Sequence, residues 1–319
     1  MANPNISEIV TSAIENRTKR LADNVTHNNA LLMKLEKRGK IRTVDGGTAI
    51  NQELSYAENS TYKRYSGYEV LNVSPSDVIT SAQYAWKQAA VAVTISGLEQ
   101  LQNSGSEKMI DLLESRIMVA ESTMRNNISA DLHSDGTADD GKQINGLRAL
   151  VSGNPNAGIV GGINRAIWNF WRNVAPAAEA LTSDNIKGKM QATWVQLVRG
   201  TDKPDLILAD NALYTTYWSA VQAQERFVNK DMANAGFENI QFNSAPVVLD
   251  GGVGGSIPAN HMYFLNCDYL HWRPHKDRNF RTLPGDRQAV NQDALIRLIV
   301  WAGNLTMSNA SLQGVLRGN

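Results

Sequence analysis

Gly136 to Lys142 read Gly-Thr-Ala-Asp-Asp-Gly-Lys, the glycine and lysine spacing of a loop that cradles phosphate groups. Such a loop needs Ser or Thr next, to reach the magnesium ion, and Gln143 stands there instead. Asp139 and Asp140 would sit inside the cradle and repel an anion, and a helical pattern precedes the loop where a strand is required. Asp131, His133, Asp135 and Gly136 imitate the opening of a calcium loop, but Lys142 occupies the position of the closing bidentate carboxylate. The segment reads as a polar helix-ending loop.

His271 and His275 are four residues apart, with Pro274 between them to prevent one helical face from presenting both rings, and no H-E-x-x-H pattern accompanies them. A metal-dependent hydrolase using these histidines and nearby acids is the enzymatic alternative. Cys267 is the only cysteine, set among Tyr263, Phe264, Leu265 and Tyr269, which suits a buried thiol better than a nucleophile. No nucleophile elbow appears, and the glycines from Gly251 to Gly255 lack dinucleotide-binding spacing. The expectation is therefore no catalytic residue, no metal and no cofactor.

The elements that could carry any function follow from the patterning. Within 319 residues, 42% hydrophobic and 19% charged, the chain can bury a substantial core. Its formal net charge is zero, so no overall field marks a nucleic-acid binder. The balance hides a basic start: Arg17, Lys19, Arg20, Lys34, Lys37, Arg38, Lys40 and Arg42 outnumber Glu8, Glu15, Asp23 and Glu36. Helical spacing runs from Ile6 to Ile14, and then Leu21, Val25, Leu32 and Leu35 thin out among charges, predicting helix with little core. The N-terminus lacks the pattern of a signal peptide, and the apolar run from Ala294 to Gly303 is broken by Arg297, so no membrane partner is expected.

Thr48 to Thr80 is polar and holds Tyr56, Tyr62, Tyr65 and Tyr68. Ile50, Leu54 and Tyr56 alternate, and Glu69 to Val73 alternate again after a turn-prone stretch, predicting a long hairpin. Too few aliphatic residues are present for it to bury itself. Tyrosine is favoured where protein surfaces meet, so this hairpin is expected to lie on a neighbour. A monomeric binding module leaves such a segment unexplained.

Val91, Val93 and Ile95 predict a strand, Leu98 and Leu101 a short helix, and Ile110 to Ile128 one face of a helix from Ser106 to His133. A glycine-rich region leads to an aromatic helical pattern at Ile167, Trp168, Phe170 and Trp171. Strands are predicted at 206–208, 247–249, 263–272 and 295–301, with Asp210 capping a helix through Leu213, Tyr217 and Val221. A basic loop holding Arg273, Lys276, Arg278, Arg281 and Arg287 separates the last two strands and can pair with acids on another copy.

Several stretches in order resemble the major capsid proteins of tailed double-stranded DNA bacteriophages with the Hong Kong ninety-seven fold: NNALLMKLEKRGKIRTVDGG, LSYAENSTYKRYSGYEVLNV, WKQAAVAVTISGLEQLQNSG, DLLESRIMVAESTMRNNI with SDGT and INGL after it, and FNSAPVVLD. The likeness spans nearly the whole chain and rests on the order of segments. It implies an α+β capsid fold: an N-terminal arm over 1–46, an extended β-hairpin loop over 47–82, a peripheral domain over 83–149 and 262–300 with its spine helix over 106–133, and a mixed α/β axial domain over 150–261 and 301–319.

The function implied is that of a non-catalytic virion subunit that self-assembles into pentamers and hexamers and closes an icosahedral head around double-stranded DNA. Tyr56, Tyr62, Lys63, Arg64, Tyr65 and Tyr68 are the expected intersubunit contacts, and Arg17, Lys19 and Arg20 a possible DNA-facing arm with weak, non-specific contact. Partners would be further copies, a separate scaffold protein, a portal and a decoration protein, assembled in the host bacterial cytoplasm. Some members of that family weld subunits through a Lys–Asn isopeptide bond promoted by Glu. Lys63 has a matching place, but Asn304 and Asn309 have no acid nearby in sequence. An encapsulin-like compartment shell is the alternative of the same fold.

Overall fold

The computed structural model describes residues 29–102, 106–221, 239–250, 256–283, 287–288 and 293–319. Arg17, Lys19 and Arg20 lie outside the described residues.

Asn29 opens the first helix, α1 (Ala30–Lys37), its Oδ1 accepting the Leu31 and Leu32 amides at 3.0 and 3.2 Å. Leu31, Leu32, Met33 and Leu35 are all buried, so this part of the arm is embedded in the core, contrary to the expectation of little core. Sequence spacing missed it because the burial surrounds a short helix. Gly39, in the left-handed region at φ 65°, ends the helix, and the chain then runs alongside Trp272 to His275.

Apart from two helical turns (Ala138–Gly141, Leu147–Leu150) and a small strand pair (Ile159–Val160 with Ile163–Asn164), the further elements in chain order are β1 (Ile50–Ser55), β2 (Ile79–Tyr84), β3 (Lys87–Ser96), α2 (Gly97–Gln102), α3 (Ser106–Asp131), α4 (Ile186–Gln196), β4 (Leu206–Ala209), α5 (Asn211–Val221), β5 (Asn239–Phe242), β6 (Ala245–Leu249), β7 (His261–Leu265), β8 (Leu270–Pro274), β9 (Arg281–Thr282), β10 (Arg287–Gln288), β11 (Ala294–Met307) and β12 (Gly314–Arg317). Helix α3 has 26 residues, ~39 Å at 1.5 Å per residue, and ends two residues before the expected His133. Ile117, Ala120, Met124 and Ile128 form its buried face, packed on β3, while Met118 and Val119 point outward.

Two five-stranded sheets organise the chain. In the first, β11 is the central strand, paired on one side with β3 from Ala294↔Ser96 to Gly303↔Lys87 and on the other with β8, β9 and β10, all antiparallel. The second has the order β12-β7-β4-β6-β5, with only β4 and β6 parallel. Its side chains alternate between two cores. Leu206, Leu208, Tyr263 and Leu265 join the core of the first sheet; Ile207, Ala209, Met262 and Phe264 face α4 and α5.

The predicted strand 263–272 is two strands in different sheets. Asn266 accepts the Asp268 amide, and Asp205 accepts the Cys267 amide at 2.9 Å, which builds a 3₁₀ turn over Cys267–Tyr269. Met262 to Leu265 therefore pair with β4 in the second sheet, and Trp301 to Met307 continue β11 in the first.

Two further expectations are corrected. Ile167 to Trp171 form only a 3₁₀ turn over Asn169–Trp171, because the Arg172 side chain takes the Arg165 and Ala166 carbonyls at 2.7 Å that helix amides would need. Glu69 to Val73 form no strand, and the returning strand of the hairpin is β2.

Candidate intersubunit interface

Strands β1 and β2 pair antiparallel from Ile50↔Tyr84 to Ser55↔Ile79, and residues 56–78 continue beyond them as a long loop. The base of this hairpin is fixed to the body. Ile50, Gln52 and Leu54 alternate inward, Arg273 donates to Gln52 at 3.0 Å, and Gln83 donates to the Gly161 carbonyl at 2.9 Å. The Tyr84 hydroxyl donates to the Met307 carbonyl and accepts its amide, while burial pushes the phenol pKa upward. The sequence motif thus has a rigid stalk.

Beyond Tyr56 the protection stops. From residue 57 to residue 75, every residue except Thr61 is exposed. Tyr62 is 78% exposed, Tyr65 63%, Tyr68 107%, Val70 88% and Val73 90%, an apolar display that burial within the chain does not explain. Local polar contacts hold the shape: Asn59 accepts the Thr61 amide and hydroxyl at 2.9 and 2.7 Å, and Lys63 pairs with Glu69 at 2.8 Å across a turn at Gly67, whose φ is 58°. Arg64 is exposed and makes no ion pair among the described residues.

Tyr56 differs from the other expected contacts. Its ring lies 6.2 Å from Trp168 and 5.7 Å from Phe170, and its hydroxyl donates to the Asp77 carbonyl at 2.9 Å. It anchors the loop to its own chain, whereas Tyr62, Lys63, Arg64, Tyr65 and Tyr68 stand together at the free end. Trp168 and Phe170 were missed as partners of the hairpin because their sequence spacing was read as a helix.

The residues weighed for other chemistry are dispersed. His271 is largely buried, its Nε2 3.4 Å from the Ser308 hydroxyl, and burial with Arg273, Lys40 and Arg42 nearby pushes its pKa down to about 4. His275 accepts the Asp277 amide and packs against Trp86. Among the described residues no three His, Cys, Asp or Glu side chains converge to hold a metal. Asp139 and Asp140 both have positive φ, at 54° and 57°, which makes their loop a left-handed turn after a helix. Asn304 is fully buried and bonded to the Asn145 and Leu305 amides and the Ala85 carbonyl; Asn309 is bonded to Ser311. No described helix is long and apolar enough to cross a membrane.

No protein-family model matches the chain, and a search of curated proteins finds no match. Solved structures do match. The chain is similar to one titled cyanophage A-1(L) capsid asymmetric unit, with a TM-score of 0.66 at 18% identity over 89% of this chain and 92% of that one. It is also similar to a chain of Microbacterium phage Oxtober96, TM-score 0.54 at 8% identity over 91% of each. A third similarity is to the satellite phage P4 procapsid including size determination (Sid) protein, TM-score 0.52 at 9% identity over 100% of this chain and 93% of that one. With its embedded arm helix, stalked loop, long α3 and two sheets, the chain has the α+β phage major capsid protein fold.

Proposed function

We propose that this chain is a structural capsid subunit that tiles with copies of itself into rings of five and six and closes a shell around double-stranded DNA. The observation that carries the reading is the loop from residue 57 to residue 75, held on a rigid stalk and exposed along nearly its whole length. An isolated hairpin is marginal in water, so a tyrosine-bearing loop of this length gains its burial from another molecule. Contacts of the ordinary ~1,600 Å² size, repeated around every subunit, sum to a strong shell.

In this reading residues 1–46 are the arm, 47–82 the extended loop, the first sheet with α3 the peripheral domain, and the second sheet with α4 and α5 the axial domain. The subunit is non-enzymatic and needs no cofactor. A separate scaffold, a portal and a decoration protein are its further partners, the virion capsid its location, and the host cytoplasm its place of assembly. The basic residues Arg17, Lys19 and Arg20 offer weak contact to packaged DNA.

Negative-stain electron microscopy with sedimentation velocity on the purified protein, alone and with a co-expressed scaffold, tests this. Rings, tubes or closed shells support it, and a monomer under every condition overturns it. An encapsulin-like compartment shares the fold, and shells filled with protein in place of nucleic acid would identify one.

A further inference from the structure

Where the loop leaves its stalk, a cleft of about 540 Å³ opens between the β1 end and the surface formed by Phe170, Tyr269 and Asn309. That volume lies in the ~300–1,000 Å³ range of clefts that take up side chains or ligands. Glu53 and Glu58 line it from the loop side. Both are exposed, and neither carboxylate makes an ion pair among the described residues. Arg199 also lines the cleft but is already paired: Asp202 accepts from it at 3.2 Å and from the Tyr269 hydroxyl at 2.8 Å. The cleft therefore presents two uncompensated carboxylates beside aromatic rings.

The free end of the loop is its chemical complement. Tyr62, Lys63, Arg64 and Tyr65 place a cation with no partner of its own between two exposed rings. Lys63 is held by Glu69, which leaves Arg64 as the available charge. A guanidinium fits paired carboxylates and stacks on aromatic faces, and it is less strongly hydrated than an ammonium.

We infer that the cleft beside Glu53 and Glu58 receives the Arg64 tip of the loop from a second copy of this chain, so that each subunit offers both a tip and a socket. The inference rests on the self-assembly proposed above and names the surface that receives the loop. Tip and socket are different patches, so the contact is head-to-tail and propagates around a ring.

Two variants that each add one cysteine test it: R64C and E58C, differently tagged, mixed and assembled under mild oxidation. Cys267 is buried and its thiol pKa is raised, so it does not compete. A disulfide-linked pair carrying both tags, absent when either variant is alone, is the expected result. Shells that form without that mixed pair overturn the socket and leave self-assembly standing; unmodified protein that never assembles overturns both. Charge exchange gives a second reading that needs no cysteine. R64E should lower assembly at least tenfold, and R64E combined with E53R and E58R should recover most of it; failure of the combined variant to recover, with each chain still folded, sinks the inference.

Discussion

Asp205 Oδ2 lies 3.0 Å from Arg38 Nη2 while its Oδ1 accepts the Cys267 amide, so one carboxylate ties the arm helix to both the second sheet and the turn between sheets. Lys34 adds a second cation at 3.8 Å. Asp205→Ala should cost ~2–3 kcal/mol, the usual range for a hydrogen bond to a charged group left unmade. Asp205→Asn keeps an acceptor for Cys267 and should cost about 1 kcal/mol. Urea unfolding of the two variants checks the ordering; equal losses would show that the ion pairs dominate.

Arg165 is buried without a carboxylate partner among the described residues, its guanidinium shared among the carbonyls of Ala149, Leu150 and Trp171. Burial pushes its pKa down to about 10, still high enough to stay charged. Arg165→Met should destabilise by about 3 kcal/mol, because carbonyls lose their donors in a dry site. A shift in the urea midpoint with unchanged slope is the signature.

His271 titrates near 4 in the folded chain and near 6.5 when unfolded. The unfolded chain binds its proton first, so the contribution is present above pH 6.5 and is lost as pH falls towards 4. Thermal melts of the native protein should drop across that window, and His271→Gln should drop less. Identical pH profiles for the two would refute the assignment.

Deleting residues 59 to 67 removes exposed chain and almost no core. Stability should change by less than about 1 kcal/mol, as for other surface changes, while assembly is lost. Replacing Tyr62, Tyr65 and Tyr68 with Ser is the gentler version, with sedimentation velocity as the readout. Normal shells from the deletion would mean that the loop contacts no neighbour.

Much of this was legible beforehand where a pattern repeats. The alternation at Val91, Val93 and Ile95, the face from Ile117 to Ile128 and the cap at Asp210, whose Oδ1 accepts the Leu213 amide at 3.0 Å, all mark their elements. Long-range polar contacts defeated the reading. Arg172 seizing the carbonyls near Trp168, and Asp205 building the turn at Cys267, act across distances that no window of sequence spans. For the candidate interface, the crowding of tyrosines gave away the loop tip, but Tyr56 looked like its neighbours until Trp168 and Phe170 were placed beside it.

The turn at Cys267 is one of three places where the chain passes between the two sheets; the others are the long segment from β3 to β4 and residues 308–313, which return from β11 to β12. Asn266 and Gln313 bond each other twice at 3.0 Å, and Ser308 donates its amide to the Tyr269 carbonyl at 2.9 Å. These hydrogen bonds lace two of the crossings together, so sliding one sheet against the other would have to stretch or break them.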